Sequence, residues 1–193
     1  SVLELSNAVD GPVYIRMVRG EIPRLFPAKN QTILGKARIL SLGSDITLLT
    51  SGICTEESLR VTDILKDRGI GVQHLHVTTL KPFDDHRVSE ALAKARYGII
   101  TMENHTSIGG LGSCVAEMIA KFGIATKLIK VAINDTYLQG ASRTFLMERY
   151  GIDVKALLSA IESLVGEKID ISDADLTTSR LDSFFNGNQQ EAL

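Results

Sequence analysis

The chain has 193 residues, 44% of them hydrophobic and 23% charged, with a formal net charge of −2. A chain of this length buries about 70% of its extended surface, and the near-neutral charge excludes the basic face that non-specific nucleic-acid or membrane-surface binding requires. No stretch reaches the roughly 20 apolar residues of a bilayer-crossing helix, the N-terminus lacks the basic flank and apolar run of a secretory signal, and Cys54 and Cys114 have neither CxxC nor metal-ligand spacing, reading as reduced, buried thiols of a cytoplasmic protein.

In chain order, VLELSNAVDGP reads as the end of a helix, with Leu3, Leu5 and Val9 apolar and Gly11 stopping it. Val13 to Val18 (VYIRMV) is a β-rich run that carries Arg16 among apolar neighbours, a costly place for a charge without a partner or a cleft. Arg19 to Asn30 has two prolines and no period, as a linker does. From Lys36 to about Val165 strands and helices alternate. ARILSLG and DITLLTSG are strands, and Thr55 to Asp67 is a helix opened by Glu56 and Glu57. Gly71 to Leu80 is a third strand with His74 and His76 on one face, and Asp84 caps a helix over Asp85 to Arg96. The two histidines have no third ligand nearby in sequence and read as polar residues of a sheet face rather than a metal site.

The strand GIITM then runs into Glu103, Asn104 and His105, and on through Gly109, Gly110 and Gly112 to a helix over Cys114 to Phe122 with an apolar stripe at Val115, Met118, Ile119 and Phe122. A fifth strand spans Thr126 to Ala132, and helices span Ser142 to Tyr150 and Val154 to Val165. Beyond Gly166 the tail turns polar and loses its period, an extended arm with Phe184 and Phe185 as anchors. This alternation predicts an α/β fold: three layers, α/β/α, with a mostly parallel five-stranded sheet. Ligands of such sheets gather at the carboxyl ends of the strands, where Thr50 to Gly52, the loop before Lys81 and the glycine loop all lie.

The glycine loop admits two readings. As a functional loop it is an anion cradle: the helix N-terminus offers unpaired N–H groups and a partial positive charge, with Glu103 and His105 as acid/base groups and Gly109, Gly110 and Gly112 lining it. As a structural loop it is a tight strand-to-helix turn whose glycines permit close packing. GGLGS lacks the GxGxxG spacing and a Walker lysine.

Four stretches together resemble one family: GPVYIRMVRG at 11–20, SDITLLTSG at 44–52, TTLKPFDD at 78–85 and ENHTSIGGLGSCVAE at 103–117. They are similar in order and spacing to the C-terminal section of two-gene transketolases, over about Val9 to Val165. 1-Deoxyxylulose-5-phosphate synthase and the β subunit of 2-oxoacid dehydrogenases share the module, and His105 with GGLGS favours the transketolase side. The resemblance implies residues 1–18 as the end of a pyrimidine-binding domain, 19–35 as linker, 36–166 as the transketolase C-terminal domain and 167–193 as a polar extension.

It also implies a thiamine-diphosphate- and Mg²⁺-dependent enzyme that moves a two-carbon ketol unit between sugar phosphates. The GDG signature that holds the diphosphate does not occur in this chain, so the cofactor-binding residues are expected elsewhere and the chain is expected to be inactive alone. By resemblance Arg16 helps bind substrate phosphate; the competing reading pairs it with Glu21, and Arg19 is a rival for the role. No catalytic residue and no metal ligand is carried over. The expected partners are an N-terminal diphosphate-binding subunit or domain, a second copy through the C-terminal domain, and sugar phosphates, with no nucleic acid and no membrane. The reading from a different class is a non-catalytic regulatory module whose glycine loop holds a small anion or nucleotide.

Overall fold

The structure, a computed structural model, describes residues 2–18, 22–26 and 32–178. Arg19, Glu21, Phe184 and Phe185 lie outside the described residues.

After a short helix α1 (Val2–Ser6) come β1 (Arg38–Ser41), β2 (Ile46–Thr50), α2 (Cys54–Asp67), β3 (Val72–His76), α3 (His86–Lys94), β4 (Gly98–Thr106), α4 (Leu111–Phe122), β5 (Leu128–Ile133), α5 (Arg143–Arg149), α6 (Val154–Val165) and α7 (Asp173–Thr178). The five strands form one sheet in the order β1-β3-β2-β4-β5. β3, β2, β4 and β5 are parallel, and β1 joins β3 antiparallel at one edge. The expected mostly parallel, five-stranded α/β architecture is therefore present. Strand alternation divides the core. On one face Ile46, Leu48, Ile100 and Met102 pack with Val61 and Leu65 of α2 and Leu157 and Ile161 of α6. On the other Leu49, Leu75 and Ile99 pack with Val88 and Leu92 of α3 and Leu111 and Val115 of α4.

Several expectations need correction. Val13 to Val18 is irregular rather than a strand: β-rich residues form a strand only where a neighbour takes their N–H and C=O groups, and none of the described strands pairs with them. Its side chains are correspondingly exposed, Tyr14 to 88% and Met17 to 71%. The helix after LKPFDD is capped by Asp85, whose carboxylate accepts from the Arg87 amide, and not by Asp84. Asp85 also accepts from the Ala37 amide at 2.9 Å and from the Arg87 guanidinium at 2.7 Å, joining the start of β1 to the start of α3. Burial acts to raise its pKa, but these hydrogen bonds prevail and hold it at about 2. The tail is not wholly extended, because α7 forms and Leu176 enters the first core. Cys114 is half-buried rather than buried.

His74 and His76 lie in a buried chain of hydroxyls whose proton order follows from its far end. Thr62 Oγ1 donates to the Ser58 carbonyl at 2.8 Å, so it accepts from His74 Nδ1 at 3.4 Å. His74 Nε2 therefore accepts from the Thr50 hydroxyl at 2.9 Å. Thr50 in turn accepts from Thr55 at 2.9 Å, and Thr55 accepts from His76 Nδ1 at 2.7 Å. Both imidazoles are neutral: burial lowers His74 to about 3, helped by His76, and lowers His76 to about 4, helped by Arg38.

Since the folded pKa values lie below the unfolded value near 6.5, this pair's contribution to stability is complete above pH 6.5. It is lost as pH falls toward 4 and then 3, because the unfolded chain binds the protons. Between pH 7 and pH 5 the two histidines should cost about 2–4 kcal/mol of unfolding free energy, read from urea midpoints. A midpoint that does not fall would contradict the buried neutral pair.

Candidate functional site

The carboxyl ends of β2, β3 and β4 point the same way, and beside the β4 end sit Arg16, Glu103, Asn104, His105 and the glycine loop. β4 does not stop at Met102 as the sequence suggests. It continues through Glu103, Asn104 and His105 to Thr106, and α4 begins at Leu111, three residues earlier than expected. Alternation along β4 puts Thr101, Glu103 and His105 on the face toward α4, with Ile100, Met102 and Asn104 toward the opposite face.

That placement decides what the loop does. Glu103, only 2% exposed, sends its carboxylate into the N-terminus of α4. Oε2 accepts from the Leu111 amide and Oε1 from the Gly112 amide, both at 2.7 Å. The next two amides, Ser113 and Cys114, donate to the Gly110 carbonyl at 3.1 Å, and the Gly109 amide donates to Ser113 Oγ at 2.8 Å. The first two amides of α4, at Leu111 and Gly112, are thus engaged by the chain's own carboxylate. Burying an isolated carboxylate costs several kcal/mol. Here two charge-assisted hydrogen bonds, worth about 1.5–3 kcal/mol each, and the helix dipole offset that cost.

The glycines answer to this packing. A Cβ on Gly110 would overlap Glu103 Oε2 and come within 2.9 Å of His105 Nδ1, and one on Gly112 would stand 2.9 Å from Thr101 Oγ1 and 2.8 Å from Lys130 Cδ. Gly109 instead needs its missing Cβ for conformation, with φ +77°. His105 Nδ1 donates to the Thr106 carbonyl at 3.0 Å. The Thr101 hydroxyl, fully buried beneath Gly112, has no hydrogen-bond partner among the described residues.

Arg16 reaches this edge from the N-terminal segment: its Nη2 donates to the Asn104 carbonyl at 2.8 Å, and the side chain is otherwise exposed. The cost expected from apolar neighbours does not arise, because Val13, Tyr14 and Met17 are exposed too. The hydrogen bond to Asn104 had no signal in the sequence, since its acceptor is main chain 88 residues away. Nor did the role of Glu56, which the sequence assigns to the helix dipole; it also pairs with Arg143 at 3.0 Å and Arg60 at 3.7 Å. Its neighbour Glu57 has its carboxyl pushed up by burial, against the pull of Arg60.

A cleft of about 240 Å³ lies beside β1 and the carboxyl end of β3, lined by Phe26, Lys36, Arg38, His76, Thr78 and Arg87 among others. Arg16, Glu103, His105 and the loop glycines do not line it. Among the described residues no group of three or more His, Cys, Asp or Glu converges on a common point, and the α4 amides are engaged by Glu103. The Leu111 and Gly112 amides, already donating to a carboxylate, do not fit a diphosphate.

The family model "Transketolase, C-terminal domain" matches residues 35–157. A putative transketolase C-terminal section of Methanocaldococcus jannaschii is 35% identical over 153 residues, 78% of this chain and 47% of that protein. The 6-deoxy-6-sulfo-D-fructose transketolase subunit SqwH of a Clostridium species is 35% identical over 161 residues, 83% of this chain and 49% of its own length. 1-Deoxy-D-xylulose-5-phosphate synthases match as well. A solved structure described as "Split gene transketolase, inactive beta4 tetramer" superposes with a TM-score of 0.78 at 28% identity, over 87% of this chain and 55% of that one. The chain thus spans about half the length of these two transketolase relatives and 24% of one of the synthases.

The packing at Gly112 gives a direct test. Gly112→Val pushes a branched side chain against the fixed Thr101 hydroxyl and should destabilise the fold by about 1–3 kcal/mol, measured by urea or thermal unfolding. An unchanged midpoint would mean that α4 does not approach β4 as closely as described.

Proposed function

We propose, from the premise that this chain belongs to the transketolase family and carries its C-terminal domain, that it serves as the C-terminal part of an enzyme transferring a two-carbon ketol unit between sugar phosphates. Thiamine diphosphate and Mg²⁺ supply the carbanion chemistry and are held by residues outside this chain, on an N-terminal diphosphate-binding partner and on the remainder of the pyrimidine-binding domain. The chain by itself is inactive. By likeness to the split-gene neighbour, described as an inactive β4 tetramer, copies of this subunit self-associate through the C-terminal domain. The enzyme works in the cytoplasm.

The observation that carries this reading is Arg16, an exposed guanidinium held at the carboxyl edge of the sheet by the Asn104 carbonyl. A planar fork anchored through one N–H presents a fixed cation to a phosphate, which it meets through paired, charge-assisted hydrogen bonds. The regulatory-module reading is weakened by Glu103, because its carboxylate holds the amides at Leu111 and Gly112 that a free anion would use.

Activity is tested by combining the chain, joined to its upstream residues, with the N-terminal partner, thiamine diphosphate and Mg²⁺. Ketol transfer from a ketose phosphate to an aldose phosphate that requires this chain is the expected result. Full activity without the chain, or condensation of pyruvate with an aldose phosphate instead, overturns the reading. In the same assembly Arg16→Ala should raise KM for the phosphorylated substrate by the equivalent of about 1.5–3 kcal/mol. An unchanged KM would remove Arg16 from the phosphate site.

A further inference from the structure

Between Met102 and Thr106 the register of β4 with β5 slips, and β2 has already ended opposite Met102. The last main-chain bond on that side is from the Ser51 amide to the Met102 carbonyl at 3.2 Å. Pairing resumes beyond the slip at Thr106, opposite Ile133, where the Ser107 amide donates to the Ile133 carbonyl at 2.8 Å. Across the slip itself, three side-chain interactions and one close contact hold the main chain at Asn104. Glu103 grips the Leu111 and Gly112 amides, His105 closes onto the Thr106 carbonyl, and Arg16 donates to the Asn104 carbonyl. On the opposite face, the Asn104 side chain lies where a Cβ on Gly52 would be 3.0 Å from Oδ1. Of these only Glu103 ties the strand end to another secondary-structure element, a helix of twelve residues anchored in the second core.

Resting on the reading of Arg16 given above, we infer that Glu103 is a positioning residue for substrate phosphate: its carboxylate fixes the end of β4, and the Asn104 carbonyl so fixed aims the Arg16 guanidinium. Glu103 touches neither substrate nor cofactor in this scheme. An arginine side chain free in water samples many rotamers, and ordering it on binding weakens affinity. One N–H committed to an immobile carbonyl removes part of that disorder before substrate arrives. The C-terminal domain thereby contributes to recognition of the phosphorylated end of the sugar through a main-chain atom, and the specificity lies in phosphorylated against unphosphorylated substrate.

The test uses the assembled enzyme, with one ketose phosphate and the same ketose lacking its phosphate. In Glu103→Gln one carboxylate oxygen becomes an NH₂ facing an amide N–H, so the two-point grip is broken. KM for the phosphorylated ketose should rise about tenfold, the loss of roughly one charge-assisted hydrogen bond. The unphosphorylated ketose should show a KM within about twofold of the wild-type value. Arg16→Ala, measured in parallel, separates the two ideas. If Arg16→Ala discriminates between the substrates and Glu103→Gln affects both equally or neither, the positioning role is overturned while the phosphate reading stands. If Arg16→Ala itself does not discriminate, the phosphate reading falls and the positioning role with it. Should Glu103→Gln fail to assemble, Glu103→Asp keeps the charge but is one methylene short, and the same ratio of KM values supports or overturns the inference.

Discussion

The pair of hydrogen bonds from the α4 amides to the Glu103 carboxylate is the constraint on which the carboxyl edge of the sheet at β4 depends. It places a negative charge at the positive end of a helix and joins the central part of the sheet to the second helical layer. It also sets where β4 ends and where α4 begins. A buried carboxylate needs full hydrogen bonding, and at this site it receives both donors from backbone, whose positions are fixed by the helix itself.

The rest of the loop accommodates that contact. Gly110 leaves room for the carboxylate and for the His105 ring, and Gly112 lets the first turn of α4 lie against Thr101. Gly109 supplies a left-handed turn between strand and helix. Three glycines close together in sequence therefore serve two different needs, space and conformation. Among the described residues the buried hydroxyl of Thr101 has no partner, a cost accepted beside the close approach of helix to strand. On the far side of the sheet the histidine–threonine chain performs a comparable service. It satisfies polar groups beneath the start of α2 with every proton assigned a direction, so charging His74 on Nε2 would set it against the Thr50 hydroxyl that now donates to it.

The layered fold was legible because its signals are local and periodic. α6 occupies Val154–Val165, the span that its apolar stripe marks out, and β2 is the apolar run ITLLT. The boundaries around the glycine loop were not legible, because the β4–α4 junction is set by Glu103 reaching forward eight residues to Leu111, which no 3.6- or 2-residue period encodes. Val13 to Val18 failed as a strand for the opposite reason: its composition suits a sheet, but a strand needs a neighbour. At the site, the sequence left Glu103 open between an acid/base group of an anion cradle and part of a tight strand-to-helix turn, and the structure shows its carboxylate taking the Leu111 and Gly112 amides. Arg16 stood out in sequence as a charge among apolar neighbours and took its phosphate role only through family resemblance, and its contact with a main-chain carbonyl lies beyond any reading of side-chain identities.

The relation between sheet edge and helix can be observed amide by amide. The first amides of a helix ordinarily exchange quickly because they have no intrahelical acceptor. With Glu103 in place, hydrogen exchange followed by NMR should show Leu111 and Gly112 protected to the same order as Val115 in the middle of α4, and their resonances should stay in place when inorganic phosphate is added. Exchange at Leu111 and Gly112 as rapid as at the exposed Ile108, or a saturable shift of both resonances with phosphate, would contradict the account by showing these amides open to solvent and to external anions.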